Sequence, residues 1–215
     1  MAVGTIPAKD LAGVIRVSIT KQDGTSVVSA GAQIWTFIDR YDVVTGANTH
    51  DFTGDFSATY DDYWVKLIDW YHDTKVGNAG TIDFQFYRNS TLKTSGLYNC
   101  TGIRSEGGDN STPYGMHKAT QTAQLMTYGQ VRNDPTDDSF NGNLFIYNAN
   151  SNRISYNFTG GNFSDDTTKA NHQTLNGYHT EASTTLTGIR IMDRSDTGTT
   201  TVAGRIEIYG GTIQV

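Results

Sequence analysis

The feature that most constrains the fold is an alternation of apolar and polar residues with a period of two. It recurs in short stretches, each bounded by turn-forming residues. Over residues 81–88, Ile82, Phe84 and Phe86 alternate with Asp83, Gln85 and Tyr87. Successive side chains of an extended strand point to opposite faces, so the first set is expected to face a core and the second to point outward. Ile15, Val17 and Ile19 alternate with Arg16 and Ser18 in the same way. The Asp23-Gly24 pair that follows favours a tight hairpin turn before Ser26-Val27-Val28. Gly54–Tyr60 reads as a short strand that leads through Asp61-Asp62 into Tyr63–Trp70. The second of these is mostly aromatic and aliphatic, which suits a central strand covered on both sides.

Further strands are expected over 33–39, 96–101, 121–128, 143–147, 153–159, 178–182, 188–192 and 199–209. Between them lie turn clusters: Glu106–Ser111, Asn133-Asp134-Pro135, Asn141-Gly142, Asn150-Ser151-Asn152 and Gly160-Gly161. Helix is disfavoured by the acidic residues themselves. Of 22 Asp and Glu, Glu occurs only as Glu106, Glu181 and Glu207. Asp bonds to its own nearby backbone and favours turns, whereas Glu favours helices. Only 117–127 offers a stretch where a helix competes, and its threonines weaken it. The expected fold is all-β: a single antiparallel β-sandwich, jelly-roll-like, over residues 13–215, preceded by an N-terminal arm at 1–12 that orders against a neighbour. At 215 residues such a domain buries enough surface to need no staple.

The net charge of −6 argues against nucleic acid or anionic lipid as a partner, since both affinities need clustered Lys and Arg. No apolar run approaches the ~20 residues required to cross a bilayer, so membrane insertion is not expected. The start, MAVGTIPAKDLAG, lacks the basic and long apolar regions of a secretory signal, and production in a cytoplasm is expected. Cys100 stands alone, which excludes an intramolecular disulfide and reads as a small buried thiol near the end of a strand.

The sequence contains no Gly-x-Ser-x-Gly, no His-Glu-x-x-His, no phosphate loop ending in Gly-Lys-Ser or Gly-Lys-Thr, and no Cys-x-x-Cys. His50, His72, His117, His172 and His179 are scattered, with no two at the i, i+2 spacing that shares a strand face, so surface histidines are expected rather than a metal site. Asp61-Asp62, Asp137-Asp138 and Asp165-Asp166 are the candidate carboxylate pairs for a glycosidase or a loop calcium site. Turn-forming, water-solvated Asp is the plainer reading. Trp35, Trp64, Trp70 and the 12 Tyr could stack on sugars beside Asn and Asp, but core packing explains the three tryptophans more simply. Five Asn-x-Ser/Thr matches, at Asn89, Asn99, Asn110, Asn157 and Asn162, read as coincidence in a chain so rich in these residues. No catalytic, cofactor-binding or metal-binding residue is assigned, no cofactor is expected, and the chain is not read as an enzyme.

The last thirty residues carry a resemblance. Thr187-Gly188-Ile189-Arg190-Ile191, the turn Ser195-Asp196-Thr197-Gly198, and Val202–Gly210 resemble the closing hairpin of a family of tailed-bacteriophage virion proteins that ends in a Gly-x-Ile-x-Leu-Tyr-Gly strand, with Ile208 at the usual Leu. Phe56–Leu67 is similar to the family's aromatic strand pair joined at an acidic turn, and Gly177-Tyr178 also fits. Within the closing strand, Val202, Gly204, Ile206 and Ile208 are expected to share the core face, with Ala203, Arg205, Glu207 and Tyr209 opposite and Gly210-Gly211 turning the chain away. The resemblance implies a structural protein on the outer surface of a phage virion, assembled in the host bacterial cytoplasm. The leading reading is a homotrimeric capsid decoration, or cement, protein bound to the major capsid protein or other virion proteins. The alternative is a fibre or tail-tip protein that recognises host surface glycan through loops at 104–115, with Tyr114, or 160–174.

Overall fold

The computed structural model describes residues 33–72, 81–95, 97–106, 114–126, 139–163, 170–181, 185–193 and 202–213. The expected arm at 1–12 and hairpin at 14–28 lie outside them, as do Asp137-Asp138, Asp165-Asp166, the turn at 195–198 and most of the turn at 106–111. The described residues form thirteen strands and no helix. They are β1 (Gln33–Ala47), β2 (Thr49–Phe52), β3 (Asp62–His72), β4 (Ile82–Arg88), β5 (Thr91–Leu92), β6 (Tyr98–Glu106), β7 (Tyr114–Gln121), β8 (Gln124–Leu125), β9 (Phe140–Tyr147), β10 (Arg153–Phe163), β11 (Ala170–Thr180), β12 (Leu186–Asp193) and β13 (Val202–Ile213). The stretch where a helix could compete is therefore taken up by β7 and β8.

The protein is an antiparallel β-sandwich. A large sheet has the order β1-β13-β3-β9-β10-β11-β6-β7, and a small sheet the order β2-β12-β4-β5, with β8 also paired to β4. The chain passes repeatedly from one sheet to the other, as in a jelly roll. One such passage corrects the reading of the C-terminus: β12 lies in the small sheet and β13 in the large one, so residues 187–209 do not form a hairpin. Instead β13 is inserted between β1 and β3.

The core lies between the sheets. Tyr63, Val65 and Leu67 of β3, Leu144 and Ile146 of β9, Tyr156 and Phe158 of β10, and Ile206 and Ile208 of β13 face Phe84 and Phe86 of β4 and Ile189 and Ile191 of β12. Phe84 and Phe86 meet Tyr156 across the gap with ring centroids 5.3 and 6.0 Å apart. Burying one such ring contributes about 1.5–3 kcal/mol to holding the layers together. Ile82, Phe84 and Phe86 face the core as their alternation predicts, but Asp83 and Gln85 are also buried. Gln85 donates to the Thr122 carbonyl, because the segment after β7 closes over that side of β4.

Residues 54–60, read as a strand, run instead through bends and a turn. Asn141-Gly142 and Gly160-Gly161 were expected as turns but lie inside β9 and β10, where Gly142 and Gly160 are register partners. Gly210-Gly211 likewise continues β13. A side-chain carbon at Gly210 would lie 2.4 Å from the Tyr60 ring, so this glycine admits a ring rather than a bend.

A β-bulge sets the phase of β3. Tyr63, Val65 and Leu67 point inward, and strict alternation would send Asp69 after them. Asp69 instead adopts a left-handed φ of 52°, its amide donates to Asn141 Oδ1 at 3.1 Å, and the register slips between Leu67 and Trp70. The slip turns Trp70 fully inward, where its Nε1 donates to the Arg205 carbonyl at 2.6 Å. Gly204, at φ +155°, lies under the indole: a β-carbon there would sit 2.6 Å from Trp70 Cγ. The matching slip in β13 leaves Ala203 buried rather than on the outer face.

Candidate functional site

The outer face of the large sheet carries the residues that alternate with the core. Read along the register, one row runs Phe37, Tyr209, Trp64, Phe145, Asn157, Asn176 and Thr101 across β1, β13, β3, β9, β10, β11 and β6. The first four are aromatic and the last three carry amides or a hydroxyl.

The aromatic half is a ladder of rings. Trp64 stacks on Tyr209 with centroids 4.8 Å apart and planes 25° from parallel, and on Phe145 at 5.7 Å and 14°. Phe37 meets Tyr209 edge-on at 5.5 Å, and Trp35 meets Trp64 at 6.0 Å. Side chains on register partners stand side by side, so Trp64 turns its faces on Tyr209 and Phe145, while Phe37 and Trp35 close the stack edge-on. The result is an apolar ridge. Phe37, at its end, is 40% exposed, and Trp35, Trp64, Phe145, Tyr147 and Tyr209 are half-buried. Trp35 and Trp64 are thus not core residues as expected; only Trp70 is. Strict alternation from Tyr63, Val65 and Leu67 would have placed Trp64 outside.

The neighbouring row is charged and internally paired. Lys66 Nζ lies 3.3 Å from Glu207 Oε2 and 5.5 Å from the Trp64 ring centroid, while the Tyr209 hydroxyl donates to Glu207 at 2.8 Å. Burial and that bond push the Tyr209 hydroxyl up to about 12. Burial opposes the Glu207 carboxylate, yet the bonds from Tyr209 and Lys66 hold it below its ordinary value. Arg205 and Arg40 both bind Asp42, at 2.6 and 2.8 Å. Each of these charges beside the ridge is therefore paired, with two guanidinium groups sharing the Asp42 carboxylate.

The polar half contains a groove of about 330 Å³ between β6 and β11, lined by Asn99, Cys100, Thr101, Asn176, Gly177 and Tyr178. Asn157 Nδ2 donates to Asn176 Oδ1 at 2.8 Å, and the Arg153 guanidinium lies 5.0 Å from the Tyr178 ring centroid. Tyr178 is 40% exposed.

The carboxylate pair that can be described is Asp61-Asp62, and its two members differ in burial and partners. Asp62 is buried and accepts from the Asn148 amide at 3.0 Å, whereas Asp61 is exposed and accepts from Asn150 at 3.3 Å. Both fasten turns. Of the histidines, His50 Nε2 is 2.7 Å from the Val202 carbonyl, His172 is exposed, and His179 is fully buried rather than on the surface. Burial first, and then Arg88 Nη1 at 3.4 Å from His179 Nδ1, push its imidazole down to about 4. The side chains of His72, His117 and Tyr114 lie outside the described ones. No group of three potential metal ligands occurs among the described residues. Cys100 is buried near the start of β6, with Gln124 Nε2 3.2 Å from its sulfur.

No family model, curated protein or solved structure matches this chain.

Proposed function

We propose that this chain is a structural protein of the outer surface of a tailed-bacteriophage virion, a homotrimeric decoration protein that stabilises the head without catalysing a reaction. The observation that carries the reading is the aromatic ridge across β1, β13, β3 and β9. Rings stacked face to face have little left to offer a sugar, whose C–H groups need an open ring face. Their edges, with paired charges alongside, suit the apolar centre of a protein–protein contact, where aromatic residues concentrate and unpaired charge is scarce. The partner is the major capsid protein or another virion protein, met after assembly in the host cytoplasm.

Light scattering of the purified chain, together with thermal melting of phage heads with and without it, tests the proposal. A trimer mass and a raised head melting temperature are expected; a monomer that leaves the heads unchanged overturns it. The groove between β6 and β11 favours a second reading, a fibre or tail-tip protein that holds host surface glycan. Adsorption to host cells without any affinity for heads would select it.

A further inference from the structure

We infer that the β6–β11 groove is a subsite for a single neutral sugar ring, with Tyr178 as its platform and Asn176 and Thr101 as its hydrogen-bonding groups. This deepens the second reading, although the chemistry of the groove does not depend on where in a virion the protein sits.

The argument begins with a contrast on one sheet face. In the ridge, Trp64, Tyr209 and Phe145 are stacked on one another, and Phe37 and Trp35 pack edge-on against them. Tyr178 packs against no other aromatic ring among the described residues; its one ring contact there is the Arg153 guanidinium. A ring 40% exposed and bordering a cavity offers π-surface to the C–H groups of a pyranose.

The polar groups are arranged to match. Tyr178 and Asn99 are register partners, as are Asn176 and Thr101 one step along. Because Asn157 donates to Asn176 Oδ1, the amide orientation of Asn176 is fixed and its Nδ2 is left to donate outward. That Nδ2, the Thr101 hydroxyl and the Tyr178 hydroxyl have no partner among the described residues. Vicinal hydroxyls, each both donor and acceptor, fit such a set. Among the described residues no carboxylate or ammonium lines the groove, and Arg153 is already engaged with the ring, which suits an uncharged ligand. The floor is backbone at Cys100 and Gly177, which are register partners. A cavity of this size holds one ring and leaves the next residue of a polysaccharide outside.

Saturation-transfer difference NMR on the full chain tests this, using methyl glucoside, galactoside and mannoside and N-acetylglucosamine as probes. Transfer to the ring protons of at least one probe is expected, with a Kd in the millimolar range, on the order of that for a single shallow contact. Tyr178→Ala is expected to abolish it, and Asn176→Asp, which keeps the bond from Asn157 but removes the donor, to weaken it about tenfold, equivalent to 1.4 kcal/mol. Both positions are exposed, and unchanged melting temperatures will verify that the variants fold. No transfer to any probe, or transfer that survives Tyr178→Ala, overturns the inference. Transfer without adsorption to host cells upholds the subsite and removes only the tail-tip reading.

Discussion

Trp64 and Tyr209 are register partners on β3 and β13, and their rings stack 4.8 Å apart on the face turned away from the core. The pair joins the strand that follows the Asp61-Asp62 turn to the C-terminal strand. It is also where stability and surface chemistry meet.

A double-mutant cycle on Trp64→Ala and Tyr209→Ala should return a coupling energy of about 0.5–1.5 kcal/mol, the range for stacked aromatic pairs beyond their buried area. Urea denaturation of the two single variants and the double variant measures it. Additive losses would mean that the rings are neighbours without interacting.

Gly204→Ala should destabilise the fold by about 2–4 kcal/mol, because the new methyl overlaps Trp70 and the backbone is held at positive φ. The predicted readout is a lowered urea midpoint with an unchanged slope. A loss below about 0.5 kcal/mol, the ordinary effect of a surface substitution, would show that the bulge does not lock Trp70.

Acid should weaken the protein through His179. The folded imidazole titrates near 4, below its unfolded value of 6.5, so the unfolded chain binds this proton first. Stability from this residue is complete above pH 6.5 and is lost as the pH falls toward 4. At 1.36 kcal/mol per pKa unit the loss reaches about 3 kcal/mol. The groups around the ring are Arg88 on β4, Lys93, Tyr98 on β6 and Glu181. Comparing unfolding free energies at pH 7 and pH 4.5 for the native chain and His179→Gln isolates the effect. Equal pH slopes in the two proteins would refute it.

Cys100 should react with a thiol reagent only as fast as the protein opens, since its sulfur is buried and Gln124 lies against it. Labelling of the folded protein is expected to accelerate to the free-thiol rate in urea. Immediate labelling in buffer would contradict the packing at the start of β6.

Much of this was legible in the sequence because alternation is a local signal. Ile82, Phe84 and Phe86 reach the core as read, and so do Ile206 and Ile208. What failed was information held by other strands. Gly142, Gly160 and Gly210 look like turn residues within their own segments. Each is needed because a ring from elsewhere lies against it: Phe158 and Phe140 at the first two, and Tyr60 at the third. The 187–209 hairpin failed similarly, since two adjacent strands with matching patterns pair only if the chain does not cross to the other sheet between them. Trp64 reads as core because its strand, mostly aromatic and aliphatic, looks like one covered on both sides, although its parity with Tyr63, Val65 and Leu67 places it outside. The groove depends on which strands meet, β6 with β11, and nothing in either segment alone reveals it.

The most direct test of the central claim, the proposed docking of the ridge on a virion, is co-sedimentation of the purified chain with tailed-phage heads, for the native protein and for a Phe37→Ser/Phe145→Ser variant, at low and high salt. Saturable binding that persists in high salt, because the charges beside the ridge are already paired, and that falls at least tenfold in the variant is the predicted result. Absence of binding, or binding that the variant retains in full, would contradict a docking role for the ridge.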